Sequence, residues 1–93
     1  MKARRKIEGV GITIREFRHR AGLSQDALAD RMDVSTSYIS MLESGARYPS
    51  IEMLIRLAVA LEVRPGAILD RIADFYTPSD ACFPWGEKRL YGA

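Results

Sequence analysis

Ninety-three residues, 47% of them apolar, suffice for one domain around a single small core, and no run approaches the roughly 20 apolar residues a bilayer-crossing helix needs. The short apolar runs lead to no expected membrane segment, and a lone cysteine, Cys82, which cannot close an internal disulfide, leads to an expected reducing cytoplasm. The formal charge of +2 hides an asymmetry: residues 1–22 hold seven Lys or Arg against Glu8 and Glu16, and the remainder holds seven against ten acids, so a polyanion would be drawn to the N-terminal side.

Residues 1–8 read as a flexible basic arm, and no apolar signal segment follows Met1-Lys2-Ala3-Arg4-Arg5-Lys6. A first helix is expected over about Gly11–Arg20, with Ile14, Phe17 and Ala21 spaced for one buried face. Ser24 can cap a second helix over Gln25–Met32, whose inward residues are Leu28, Ala29 and Met32. Asp33-Val34 breaks it. Ser35 then caps a third helix over Thr36–Ser44, with Ile39 and Leu42 inward, and Gly45 supplies the positive-φ residue that ends it. Arg47-Tyr48-Pro49 reads as a loop, and Ser50 caps a fourth helix with the stripe Ile51, Leu54, Leu57, Ala58, Leu61. Pro65 suits the first turn of a fifth helix, with Ile68, Leu69, Ile72 and Tyr76 on its apolar side, and Thr77-Pro78 stops it. Residues 9–76 are therefore one all-α domain, and residues 77–93 form an aromatic tail without regular periodicity.

Two short helices joined at Asp33-Val34, with the small Ala29 at their crossing, describe a helix–turn–helix that exposes its second helix as a ridge. Such a ridge fits the major groove of DNA. The ordered set Ile14-Arg15-x-x-Arg18, Ala21-Gly22-Leu23-Ser24-Gln25, Leu28-Ala29, Ile39-Ser40-x-Leu42-Glu43-x-Gly45, Pro49-Ser50 and Leu54-x-x-Leu57-Ala58-x-Ala60-Leu61 spans roughly Val10 to Leu69. It resembles the Cro/cI-type helix-turn-helix family, the lambda-repressor-like domains also called the Xre family. The resemblance implies a five-helix lambda-repressor-like bundle that binds double-stranded DNA, usually as a homodimer.

With Ile39 and Leu42 inside, Thr36, Ser37, Ser40, Met41 and Ser44 fall on the outward stripe of the third helix. By resemblance, Thr36, Ser37 and Met41 stand where family members read base edges. None of the five carries the bidentate head of Arg, Lys, Asn or Gln, so DNA shape or the basic arm is expected to supply part of the specificity. Gln25 lies beside unpaired backbone N–H groups at a helix start, a place that favours phosphate, and the family's Gln there clamps the DNA backbone. Ser44, Arg47 and the Tyr38 hydroxyl are expected to meet neighbouring phosphates. The resemblance also pairs Arg18 with Glu43, a forked donor on a carboxylate that would fix the recognition helix without touching a base.

One Cys and one His cannot supply a four-ligand zinc site, and His19 and Cys82 have no catalytic company. No glycine-rich phosphate loop occurs, so neither an enzyme nor a cofactor is expected. The reading is a sequence-specific transcriptional regulator, a repressor that binds a palindromic operator as a homodimer. The alternative is an antitoxin or similar protein-binding module that uses the same domain for autoregulation. Phe83-Pro84-Trp85 and Leu90-Tyr91 either cover the chain's own helices or, with the fifth helix, form a dimer or partner surface.

Overall fold

Three serines set where helices begin. In the computed structural model, which describes residues 9–76, the side-chain oxygens of Ser24, Ser35 and Ser50 accept from the backbone N–H of Ala27, Tyr38 and Met53, each at 3.0 Å. Each bond satisfies an amide that has no partner inside its own helix. The helices are α1 (Val10–Arg20), α2 (Gln25–Met32), α3 (Thr36–Ser44), α4 (Ile51–Leu61) and α5 (Pro65–Tyr76), and the described residues contain no strand. The expected basic arm, the tail from Thr77 onward and the side chain of Tyr76 lie outside the described residues.

Gly45 ends α3 at φ 88°, as its position predicts, but α2 and α4 close through left-handed residues that are not glycine, Asp33 and Glu62. Both closures have the same form. The amides of Asp33 and Val34 donate back to the carbonyls of Asp30 and Ala29, and those of Glu62 and Val63 to Val59 and Ala58. Val34 and Val63 then fold their side chains onto the core, and this apolar contact holds the left-handed residue in place.

Ile14, Leu28, Ile39, Leu42, Leu57 and Ile68 are fully buried and come from all five helices. Burying each is worth about 1.5–3 kcal/mol. Thr13 is buried among them with no hydrogen-bond partner for its hydroxyl. Two arginines tie α2 to α4. Arg31 near the end of α2 donates to the Ala60 carbonyl at 2.8 Å, and Arg56 of α4 donates to the Met32 carbonyl at 2.6 Å. Each helix therefore caps the negative end of the other.

Several expected inward residues face solvent. Ala21 is exposed because α1 stops at Arg20 and the chain turns there. Ile51 is 78% exposed, because the buried arc of α4 runs through Leu57, Leu61 and Ala60 and leaves the Ile51 side of the helix outside. Leu69 is 53% exposed, about 100° round the helix from Ile68, so Ile68 and Ile72 bury α5 without it. Helix α1 also starts at Val10, one residue earlier than expected, after Gly9 at φ 90°.

Candidate nucleic-acid interface

The position of α3 is set from its inner side. Ile39 and Leu42 anchor it in the core, and Gly11 lets the backbone of α1 press against its C-terminal end. A Cβ at Gly11 would stand 2.2 Å from the Glu43 carbonyl oxygen and 2.8 Å from that of Leu42, so only glycine permits this crossing.

Glu43 is the polar counterpart of that contact. Arg18 donates to it twice, Nε to Oε2 at 2.5 Å and Nη2 to Oε1 at 3.0 Å, and a third donor, Nη1, reaches the Leu23 carbonyl at 2.8 Å. Gln25 Nε2 donates to Glu43 Oε1 at 3.0 Å, and Arg15 Nε approaches the same oxygen at 3.4 Å. Burial alone would raise the Glu43 carboxyl. The hydrogen bonds from Arg18, Gln25 and Arg15 and the Arg18 charge outweigh it and hold the group below its ordinary value. The Arg18–Glu43 side chains are 9% and 1% exposed, so this is a buried pair. A second bidentate pair, Arg71 to Glu16 at 3.1 and 3.2 Å, joins α5 to α1 at the surface.

The outer side of α3 is open and small. Ser37, Ser40 and Ser44 are exposed on one face, with Thr36, Tyr38 and Met41 half-buried around them. Ser44 Oγ donates to the Met41 carbonyl at 3.2 Å and accepts from Ala46 N–H at 3.3 Å, while Arg47 N–H donates to the same carbonyl at 3.1 Å. This turn sets the Arg47 guanidinium over the Tyr38 ring, 5.8 Å from its centroid. Tyr38, Ser44 and Arg47, three of the four residues expected at phosphates, are thus brought together at the edge of the face.

Gln25 opens α2, as expected, and also reaches into the Glu43 cluster. One amide hydrogen is committed to Glu43, because a buried carboxylate attracts any donor in reach, and only the second remains for a ligand. Two further residues, Arg15 and Asp26, join the site without a signal in the helical period. Arg15 is 55% exposed and joins the Glu43 cluster from α1, and its side of the helix was concealed by a general surplus of basic residues there. Asp26 accepts from Thr36 Oγ1 at 2.6 Å, a contact ten residues apart that helical spacing within either helix does not reveal. Among the described residues no group of His, Cys, Asp or Glu is placed to hold a metal, and no helix is long and apolar enough to cross a membrane.

The helix-turn-helix family pattern (HTH_3) matches residues 14–68, more than half of the chain and the whole of the α2–α3 unit. The chain belongs to the helix-turn-helix family. This helix-turn-helix chain is 39% identical over 70 residues to an uncharacterized HTH-type transcriptional regulator of Mycobacterium tuberculosis, represented in two strains. The match takes in 75% of the chain and 49% of the relative, so the chain spans about half the length of those proteins. Among solved structures it is similar to the clp gene regulator ClgR of Corynebacterium glutamicum, with a TM-score of 0.72 and 29% identity over 81% of this chain and 97% of that one. It is also similar to SinR, a master regulator for biofilm formation solved in complex with DNA, with a TM-score of 0.62 and 32% identity over 67% of this chain and 100% of that one.

Proposed function

We propose that the chain is a sequence-specific DNA-binding transcriptional regulator that represses by occupying a palindromic operator as a homodimer in the cytoplasm. The observation that carries the reading is α3 itself. Its inner side is locked by Gly11, Arg18–Glu43, Ile39 and Leu42, while its outer side offers only small exposed side chains. A rigid ridge without bulky groups enters a major groove at little cost in side-chain ordering.

In this reading Thr36, Ser37, Ser40 and Met41 touch base edges. Gln25, Tyr38, Ser44 and Arg47 hold the flanking phosphates, with Arg15 beside them. Two copies would set their recognition helices about 34 Å apart. Ile51, Ile55 and Val59, exposed at four-residue intervals on α4, together with Leu69 and Phe75 on α5, supply apolar surface for the pairing.

Selection from a random pool of duplexes tests the reading. The expected result is a palindromic site bound with an affinity that falls steeply as salt is added, because each Lys or Arg on a phosphate releases condensed counterions. Binding that ignores salt, or no duplex retained at all, would overturn it.

A further inference from the structure

We infer that Asp26 and Thr36 form a composite base-reading edge that selects cytosine and rejects guanine. The inference rests on the DNA-binding reading above and names a determinant of its specificity. Thr36 is the first residue of α3, and Asp26 lies in the first turn of α2, so the pair bridges the starts of the two helices. The Thr36 hydroxyl has one proton, and it goes to Asp26 Oδ1 at 2.6 Å. What Thr36 can still offer is lone pairs, and a carboxylate offers nothing else.

An isolated threonine hydroxyl rotates to suit either donors or acceptors and therefore discriminates poorly. Here the bond to Asp26 removes that ambiguity. The edge is acceptor-only. In the major groove, cytosine presents an amino donor with no acceptor beside it, whereas guanine presents two acceptors, and adenine sets an acceptor next to its donor. The acceptor-only edge matches the first, is repelled by the second, and is partly opposed by the third. Asp26 is exposed and brings negative charge to a face that would approach phosphates, so it lowers affinity for DNA in general while it sharpens the choice of base. No arginine or lysine is bonded to Asp26, so its charge is not absorbed by a salt bridge within the described residues.

The test is duplex selection followed by affinity measurement for the full chain, Asp26→Asn, Thr36→Val and Thr36→Ser. Asn keeps the shape of Asp and adds a donor; Val keeps the shape of Thr and removes the hydroxyl; Ser restores it. Wild type should enrich cytosine over guanine about tenfold at one position of each half-site, falling to about twofold in Asp26→Asn and Thr36→Val and returning in Thr36→Ser. Asp26→Asn should also bind unrelated duplexes more tightly than wild type does. A purely structural bond would change the melting temperature and leave base preference alone. Identical base preferences in wild type and Asp26→Asn overturn this inference and leave DNA binding standing. If neither protein binds any duplex, the DNA-binding reading falls and takes the inference with it.

Discussion

Replacing Arg18 by alanine should destabilise the domain by about 3 kcal/mol near neutral pH, because it strands a buried carboxylate. The figure follows from the surroundings. Glu43 is 1% exposed and loses two of its four donors, while Gln25 at 3.0 Å and Arg15 at 3.4 Å remain. Those two keep the loss toward the lower end of what breaking a buried pair costs. For a domain this small it amounts to a fall in melting temperature of roughly 12–24 °C. Acidification separates this account from a simple packing defect. In the wild type the Glu43 carboxyl is held below its ordinary value, so its contribution is complete above the unfolded value, about 4.3, and is lost only as pH falls through the lower folded one. Without Arg18, burial dominates and raises the carboxyl, and protonation then relieves the stranded charge. The deficit of the variant should therefore shrink as pH falls from neutral through the ordinary carboxylate range. Urea unfolding of both proteins across that range, followed by circular dichroism, measures it. A deficit below about 1 kcal/mol at neutral pH, or one independent of pH, would refute the reasoning.

Gly11→Ala should cost about 3 kcal/mol or prevent folding, since its methyl group would collide with backbone rather than with a movable side chain; thermal melts decide it. Thr13→Val should be neutral or stabilising by about 1 kcal/mol, because it removes a buried hydroxyl that has no partner, and a clear loss of stability in denaturant would show that the hydroxyl is satisfied in solution. Gln25→Ala and Arg47→Ala should weaken binding to all duplexes alike, whereas Ser37→Ala or Met41→Ala should change which sites are preferred. Four variants with wild-type affinity and preference in gel-shift titrations would move the docking face elsewhere.

Local chemistry made most of the fold legible. Ser24, Ser35 and Ser50 announce helix starts because a cap bond reaches only three residues, and Gly45 announces an end because glycine alone takes a positive φ without steric cost. What sequence did not yield are contacts between residues far apart in the chain. A glycine inside a helix reads as a weak point, and only the crossing of α1 and α3 turns Gly11 into a requirement. Arg31 and Arg56 look like solvated charges until their targets, two carbonyls at helix ends, are seen. Spacing gives the width of the apolar face of α4 but leaves open which neighbour it turns toward, so the stripe alone places Ile51 inward while the packed helix leaves it in solvent. At the site, the residues lining α3 followed from its period. The commitment of Gln25 to Glu43 did not, since it depends on a donor and an acceptor eighteen residues apart.

The way α3 is held has a consequence for how such a chain diversifies. Backbone contact at Gly11, the Arg18–Glu43 pair and the buried Ile39 and Leu42 all lie on one side of the helix, and none of them involves Ser37 or Ser40. Those two positions are therefore uncoupled from folding, and exchange there leaves the stability of the scaffold within the small range typical of exposed sites. New residues can be tried at Ser37 and Ser40 one at a time, by natural drift or by grafting, without passing through misfolded intermediates.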